Sequence, residues 1–187
     1  MDDRILRIAV LLFAHVIFLS AAALRILRGQ RAHQLVTQAP WWVQYYPPLV
    51  WLPFVIAYVY PVILDIDQTV QLAGLAIALL SALLAAWAMW SLGSSYGIRL
   101  DVFTGHRLKT DGPYRVVRHP MYLGIVLFHV GATLALQSLL LLVATLLYVV
   151  PLTAIRIVYE ERVLRVAFGE RYADYQRAVA PLLPFVS

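Results

Sequence analysis

Apolar residues are grouped along this chain into five long runs that are separated by shorter polar segments. The runs are Ile8 to Leu24, Leu49 to Leu64, Val70 to Leu92, Met121 to Leu136 and Leu139 to Val158. Because a helix needs roughly 20 mostly apolar residues to cross a bilayer, each run predicts a membrane-spanning helix. No small-residue cleavage site separates the first run from the rest, so we interpret it as a span and not as a removed signal peptide.

Polar and proline residues between and within the runs predict local features of the helices. Gln137 and Ser138 alone separate the fourth run from the fifth, which predicts a tight helical hairpin. Pro53 and Pro61 interrupt the second run and predict a kink or an irregular start there. After the fifth run, apolar residues recur every three or four positions, which predicts an amphipathic helix from Tyr159 to Ala178.

Composition supports a membrane protein and narrows its chemistry. The chain is 62% hydrophobic and 13% charged, whereas soluble domains are about 45–50% apolar and about 25% charged. It contains no cysteine, which excludes disulfides, thiolate metal sites and cysteine nucleophiles. We therefore expect an all-α, polytopic membrane protein with about five transmembrane helices and a cytoplasmic C-terminal amphipathic helix.

The positive charges indicate an orientation in the membrane. If the five spans alternate in direction, 13 of the 15 Lys and Arg residues lie on one side of the bilayer. Cytoplasmic loops hold the excess of such residues. The pattern therefore predicts an N-terminus outside, a C-terminus in the cytoplasm, and the polar chemistry on the cytoplasmic side. In a membrane protein the net charge of +5 is no sign of nucleic-acid binding, and we expect none.

Polar side chains are densest between Gly105 and Gly124, just before the fourth span. Pro120 suits the first turn of a helix and disfavours a helical conformation for His119. Arg118 and His119 would then precede a helix N-terminus, whose free N–H groups favour an anionic ligand. The alternative is that these cations only anchor the span at the membrane surface.

A second candidate cluster lies at the end of the fifth span, where Arg156 is followed by Glu160 and Glu161. Arg156 and Glu160 are four residues apart, so an ordinary helical ion pair is one interpretation. Ionisable side chains at the end of an apolar helix more often mark a site. A guanidinium there could hold a carboxylate through two parallel hydrogen bonds.

Other residues favour structural roles. His15 and His129 lie inside spans, where a single histidine usually hydrogen-bonds a neighbouring helix. Trp41, Trp42, Tyr45 and Tyr46 resemble an aromatic belt at the membrane surface. His106 and His119 fit no zinc-ligand spacing, and we expect no metal site. The chain also has no G-x-S-x-G elbow, so hydrolysis has no support.

The C-terminal half resembles the isoprenylcysteine carboxyl methyltransferases and related membrane phospholipid methyltransferases. The resemblance begins at His106 and includes Gly112-Pro113-Tyr114 and Arg118-His119-Pro120-Met121-Tyr122. It continues, after one hairpin, with Glu160-Glu161 and with the stretch from Phe168-Gly169 to Tyr175. The first three spans match in hydropathy alone. The resemblance implies one methyltransferase domain over 1–187, with three N-terminal spans in 1–92 and a cofactor-binding catalytic half in 93–187.

The resemblance also implies roles for individual residues. S-adenosyl-L-methionine would be the cofactor, and Arg156 and Glu160 would be the catalytic pair. Arg156 would bind the substrate, and Glu160 would close the cofactor pocket from the tail. The other residues implied to line the cofactor pocket are His106, Arg107, Leu108, Lys109, Tyr114, His119, Pro120, Met121 and Tyr122.

The methyl acceptor implied is a lipophilic small molecule or prenylated substrate drawn from the membrane, with an isoprenylcysteine-type carboxylate favoured. An ionised carboxylate needs no general base. A phospholipid or other lipid amine is the alternative, and it would need a base, for which Glu161 is the nearest candidate. Two further hypotheses are an NADPH-dependent membrane reductase of the sterol type and a transporter without enzymatic activity.

Overall fold

The computed structural model describes residues 3–27, 35–59, 64–93, 101–103 and 107–183. Seven α-helices and two short strands are found in this part of the chain. The helices are α1 (Asp3–Leu27), α2 (Tyr46–Val59), α3 (Gln68–Leu92), α4 (Pro120–Leu136), α5 (Leu139–Ala144), α6 (Val150–Phe168) and α7 (Glu170–Ala178). The strands are β1 (Leu35–Gln38) and β2 (Asp101–Phe103). Short 3₁₀ turns cover Trp41–Tyr45 and Gly112–Arg115, and a π-helical turn, Thr145–Val149, joins α5 to α6.

Three helical stretches are long and apolar enough to cross a membrane, namely Arg4–Leu24, Gln68–Leu92 and the continuous stretch Leu139–Phe168. They contain the first, third and fifth predicted spans. The fourth predicted span is the shorter apolar helix α4, and the second lies mainly in α2, which has 14 residues. The helical membrane fold is confirmed, while the number of five crossings stays a prediction.

The most extensive helix contact is between α3 and α4, and it depends on small residues. A Cβ atom added to Gly131 would lie 2.6 Å from the backbone nitrogen of Ala78, and one added to Gly74 would lie 2.7 Å from the carbonyl oxygen of Gly131. A Cβ on Gly124 would lie 2.9 Å from that of Ala85. The two backbones therefore approach more closely than larger side chains would allow, as is common between membrane helices.

The tight hairpin predicted at Gln137 and Ser138 is confirmed. Gln137 ends α4 in the left-handed conformation, with φ of 54°, and the Ser138 side chain caps the first turn of α5. Gln137 also accepts a hydrogen bond from the backbone N–H of Leu64 at 2.6 Å, and its side chain donates to the carbonyl of Ile66 at 2.9 Å. The connections before α3 and after α4 therefore meet at one end of the bundle.

Helix α2 contains Pro53, whose ring nitrogen cannot donate to the carbonyl of Leu49 one turn earlier. The hydroxyl of Tyr148, from the π-helical turn, donates to that carbonyl at 3.1 Å. His129 of α4 contacts the next carbonyl, that of Val50, through Nε2 at 2.9 Å. The proline is thus tolerated because side chains of neighbouring helices bond to this part of the α2 backbone, and the expectation for His129 is confirmed.

At the opposite end of the bundle, the connections α1–α2 and α3–α4 pair with each other through β1 and β2. The strands are antiparallel, with Thr37 opposite Val102 and Gln38 opposite Asp101. Val102 belongs to a small buried cluster with Val43 and Val163, the latter from α6. The two connections that the charge pattern assigns to one side of the membrane therefore do lie together. The sequence pattern did not indicate these strands.

The tail is not the single helix from Tyr159 to Ala178 that periodicity predicts. Helix α6 continues without a break to Phe168, and the chain turns at Gly169, whose φ of +55° is a conformation that favours glycine. Helix α7 follows and returns along α6. The segment after α7 then binds the backbone before α4, since the N–H groups of Arg118 and His119 donate to the carbonyls of Ala180 and Pro181.

Candidate active site

A mostly apolar cavity of about 250 Å³ opens between α1, α2, α4 and α6. Its walls are built mainly from hydrocarbon and aromatic side chains, and Arg156 is the one charged residue among those that line it. The lining residues are Phe18, Leu19, Ala22, Tyr46, Pro47, Pro48, Val50, Trp51, Met121, Tyr122, Ile125 and Arg156. The N-terminal spans therefore supply most of the apolar wall, and α4 and α6 supply its polar end.

Arg156 lies on α6 at this polar end and is only 3% exposed. Its Nη1 donates to the carbonyl of Val43 at 2.6 Å, and its Nε donates to the hydroxyl of Tyr122 at 3.1 Å. The centre of the guanidinium lies 5.6 Å from the centroid of the Tyr46 ring. Because a buried cation is costly unless its donors are satisfied, these contacts explain how the charge is held beside an apolar cavity.

The hydroxyl of Tyr122 connects Arg156 to Glu160. It accepts from the Nε of Arg156 and donates to Oε2 of Glu160 at 2.5 Å. The simple interpretation of Arg156 and Glu160 as a direct helical pair therefore omits the group that lies between them. Among the described residues, the other carboxylate oxygen of Glu160 accepts no hydrogen bond, and the side chain is half-buried.

The start of α4 has the form that the sequence predicts. Pro120 occupies the first helical turn, and His119 caps it with φ of −126° and ψ of 59°, outside the helical region. The ring of His119 stacks on that of Tyr122, with centroids 5.7 Å apart, and its Nε2 lies 3.1 Å from Oε1 of Glu161. His119 and Arg156 therefore belong to one cluster, joined through Tyr122.

Arg118 and Glu161 form a partly buried ion pair, which we call the clasp, rather than an open anion site. Nε and Nη2 of Arg118 lie 2.8 and 2.7 Å from Oε1 of Glu161. Nη1 of Arg118 donates to the carbonyls of Gln176 and Val179, and the Gln176 side chain donates to Oε2 of Glu161 at 3.0 Å. Arg118 thus ties the tail to α6 and to the start of α4.

Five other residues predicted to bind the cofactor lie outside the cluster of Arg156, Tyr122, Glu160 and His119, or outside the described residues. Met121 lines the cavity, and His106 lies outside the described residues. Arg107 is exposed and Leu108 is half-buried. The ammonium group of Lys109 lies 2.8 Å from a carboxylate oxygen of Asp111, and its hydrogen bond holds the pKa of Asp111 below the ordinary value. Their contact with a cofactor stays a prediction.

Tyr114 is buried in the 3₁₀ turn before α4 and is linked to the tail. Its carbonyl accepts a hydrogen bond from the hydroxyl of Tyr175 at 2.5 Å, and its own hydroxyl donates to the carbonyl of Ala88 at 3.4 Å. The turn is therefore fixed against both α3 and α7. Its predicted place in the cofactor pocket is untested by these contacts.

Sequence reasoning missed Val43 and Tyr46 as parts of the site. Trp41 and Tyr45 are 74% and 56% exposed, as expected of an aromatic belt, but Tyr46 is 4% exposed and lines the cavity. Assigning Tyr46 to the belt was therefore wrong. The signal was its helical phase, because Tyr46 is in register with the buried residues Val50 and Phe54.

The arrangement combines a mostly apolar compartment, a fixed cation and a neighbouring carboxylate. The cation can orient an anionic group, and the apolar walls can exclude water around it. The carboxylate of Glu160 can accept hydrogen bonds from a second ligand beside the first. Such a site suits a reaction between an apolar anion and a polar co-substrate.

Comparison with known proteins identifies relatives of this chain. The sequence is 33% identical over 116 residues to protein-S-isoprenylcysteine O-methyltransferase B of Arabidopsis thaliana, covering 61% of this chain and 59% of that protein. It is 30% identical over 139 residues to protein-S-isoprenylcysteine O-methyltransferase of Tribolium castaneum, covering 73% of this chain and 49% of that protein. The chain thus spans less than two thirds of the length of these relatives.

A solved structure shares the fold. It is that of a eukaryotic intramembrane Ras methyltransferase, an isoprenylcysteine carboxyl methyltransferase, with a TM-score of 0.59 and 26% sequence identity, covering 81% of this chain and 55% of that one. A family model described as phospholipid methyltransferase matches residues 70–171, more than half of the chain. This match extends from α3 through α4 and α6 into the start of α7. The chain therefore belongs to the phospholipid methyltransferase family of integral membrane proteins.

Proposed function

We propose that this protein transfers a methyl group from S-adenosyl-L-methionine to a lipophilic carboxylate of the isoprenylcysteine type. One observation supports the proposal above all others. The guanidinium of Arg156, 3% exposed, lines a cavity whose other residues are mainly hydrocarbon and aromatic. A cation in that position suits an acceptor that carries an anionic end and an apolar body.

Arg156 would bind and orient the acceptor carboxylate. Hydrogen bonds between a guanidinium and a carboxylate are charge-assisted and directional, so the bound oxygens would have a defined position. Val43 and Tyr122 already fix part of the guanidinium through hydrogen bonds, so little side-chain entropy is lost on binding. This preorganisation favours reaction because positioning is a large term in a two-substrate transfer.

The residues near Glu160 fit the proposed cofactor. A carboxylate oxygen that accepts no hydrogen bond among the described residues suits the hydroxyl or amino groups of a nucleoside, and its negative charge suits a nearby sulfonium. Glu160, Tyr122, His119 and Met121 would hold the cofactor here. When bound, S-adenosyl-L-methionine supplies an electrophilic methyl group on a positively charged sulfur.

With a carboxylate acceptor, the side chains of this protein have only to bind and orient the substrates. The acceptor is ionised at pH 7, so no side chain has to remove a proton. Arg156 sets the direction of the nucleophilic oxygen, while the walls from α1 and α2 keep water away from it. An ion pair that is too tight would lower the nucleophilicity of that oxygen, so the contacts of Arg156 with Val43 and Tyr122 are favourable for turnover.

We further propose that the site faces the cytoplasm, with the N-terminus outside. The excess of Lys and Arg on one side of the predicted topology supports this orientation. The pairing of β1 with β2 supports only the part of this topology that puts the α1–α2 and α3–α4 connections on the same side. The cofactor would then enter from the cytosol, and the acceptor would enter sideways from the bilayer.

The test uses the purified chain in lipid nanodiscs with S-adenosyl-L-methionine labelled in its methyl group. A matched pair of acceptors, an S-prenylated N-acetylcysteine and its primary amide, isolates the carboxylate. We expect label on the acid and none on the amide. Raised melting temperature with S-adenosylhomocysteine but not with NADPH would separate methyl transfer from the reductase alternative. Stabilisation by neither ligand would support the transporter alternative.

Methylation of a lipid amine is less well supported by the site. An amine acceptor must lose a proton, and Glu161 was the predicted base. Both oxygens of Glu161 already accept hydrogen bonds, Oε1 from Arg118 and Oε2 from Gln176. A carboxylate held in this way by a neighbouring guanidinium is a poor proton acceptor.

A further inference from the structure

Tyr46 is the first residue of α2, in the N-terminal half of the chain, and it contacts α4 and α6 of the C-terminal half. Its hydroxyl lies 3.0 Å from Oγ1 of Thr153, a residue of α6 one turn before Arg156. Its ring meets the ring of Tyr122 edge-on, with centroids 5.5 Å apart. Tyr46 therefore contacts both helices that carry the polar end of the cavity.

The same ring lies against the guanidinium of Arg156, whose centre is 5.6 Å from the ring centroid. An aromatic face attracts a cation, and the attraction is larger where both groups are removed from water. Tyr46 and Arg156 are 4% and 3% exposed, so the contact is desolvated. A ring in this position restricts the guanidinium on one side without using any of its N–H donors.

Two hydrogen bonds of Arg156 hold individual nitrogens of the guanidinium in place. The carbonyl of Val43 receives Nη1 and the hydroxyl of Tyr122 receives Nε, and each fixes one nitrogen in the plane of the group. The aromatic ring of Tyr46 adds a contact of a different kind, through its π face. Val43 and Tyr46 belong to the same short segment at the start of α2.

We propose that Tyr46 is a positioning residue for the acceptor, acting through Arg156. Its ring holds the guanidinium in the orientation that receives the carboxylate, and its bond to Thr153 fixes the ring on α6. The inference rests on the proposed function, since it concerns the same acceptor site. It assigns part of the recognition of the carboxylate to the N-terminal half, outside the region that the family model matches.

Two substitutions distinguish the effect of the Tyr46 ring from that of its hydroxyl. Tyr46→Leu removes the aromatic face, and we expect the KM for a prenylated carboxylate to rise about 10–30-fold. Tyr46→Phe keeps the face and removes only the bond to Thr153, so we expect less than about a fivefold rise. The KM for S-adenosyl-L-methionine, and the stabilisation by S-adenosylhomocysteine, should stay at the wild-type values in both variants.

Tyr148→Leu is the matched control. Tyr148 also joins α2 to the long C-terminal span, through its bond to the Leu49 carbonyl, but it lies on a different groove and does not line the cavity with Arg156. We expect this variant to lower the melting temperature without changing the KM for the acceptor. A merely structural role for Tyr46 would make the two leucine variants behave alike.

Each outcome bears on the proposal. An acceptor KM that rises in Tyr46→Leu and is close to the wild-type value in Tyr46→Phe supports the proposal. The rise caused by Tyr46→Leu should be smaller when Arg156 is already changed to Lys, because the two residues act on one interaction. An active wild-type protein whose acceptor KM is unchanged by Tyr46→Leu would overturn the role of Tyr46 alone. If Tyr46→Leu does not fold, a Tyr46→Phe effect as large as tenfold would overturn it. A wild-type protein that methylates no carboxylate would overturn both this inference and the proposed function.

Discussion

The hydroxyl of Tyr122, on α4, lies between Arg156 and Glu160, which are one turn apart on α6. It accepts a hydrogen bond from the guanidinium at 3.1 Å and donates one to the carboxylate at 2.5 Å. One phenol therefore sets the relative positions of the group proposed to bind the acceptor and the group proposed to bind the cofactor.

Replacing Tyr122 with Phe tests this link. The ring and its contacts with His119 and Tyr46 remain, while both hydrogen bonds to charged groups are lost. Since such bonds contribute about 1.5–3 kcal/mol each, we expect kcat/KM to fall at least about tenfold, with both KM values affected. Steady-state kinetics with each substrate varied in turn measures this. Unchanged kinetics in a folded variant would mean that the two sites are positioned independently.

Glu161→Gln tests whether the clasp with Arg118 is structural. The substitution leaves the Arg118 guanidinium, whose side chain is 10% exposed, without its carboxylate. We expect a lower melting temperature and faster proteolysis of the tail, at a cost of about 2–5 kcal/mol. Methyl transfer to a carboxylate by the folded fraction should persist. A variant of wild-type stability that has lost its chemistry would instead support Glu161 as a base.

Gly131→Ala tests the close packing of α3 on α4. The new Cβ atom would lie 2.6 Å from a backbone nitrogen of α3, so the helices would have to separate, and we expect destabilisation of about 1–3 kcal/mol. Val130→Ala is the control, because Val130 is 38% exposed on the same helix. Thermal unfolding in detergent compares the two. Equal melting temperatures would show that this contact is looser than the structure indicates.

Replacing tyrosine with phenylalanine should have different effects on stability at Tyr172 and at Tyr175, which both lie on α7. A tyrosine hydroxyl is neutral at pH 7, and burial raises the pKa of both hydroxyls further. Within the described residues, the hydroxyl of Tyr172 has no partner, whereas that of Tyr175 donates to the carbonyl of Tyr114. We expect Tyr172→Phe to be neutral or stabilising and Tyr175→Phe to cost about 1 kcal/mol. Thermal unfolding of the two variants provides the measurement, and a reversed order would contradict these contacts.

Local patterns were sufficient for much of the fold. Hydropathy located the apolar helices, Pro120 located the start of α4, and Gln137 with Ser138 located the hairpin, because each depends on residues near one another in sequence. Arg156 and Glu160 could also be proposed as candidate site residues from local sequence, because they place charge at the end of an apolar helix. The end of α6 at Phe168 was missed because helical periodicity continued past Gly169.

The long-range contacts around Arg156 could not be predicted from local sequence patterns. Val43 and Tyr46 meet α6 across more than 100 residues of sequence, and no local pattern specifies such a partner. The strands β1 and β2 are short, and they form where two separate connections lie side by side. The role of Arg118 as a clasp likewise depends on where the tail returns after α7.

We propose that Arg156 binds the carboxylate of an apolar acceptor in the cavity between α1, α2, α4 and α6. The most direct measurement compares methyl transfer by the wild type, Arg156→Lys and Arg156→Ala, with stabilisation by S-adenosylhomocysteine to show that each variant is folded. We predict that Arg156→Ala loses at least about 100-fold in kcat/KM for the acceptor and that Arg156→Lys recovers only part of it. Full methyl transfer by a folded Arg156→Ala protein would show that Arg156 does not bind the acceptor carboxylate.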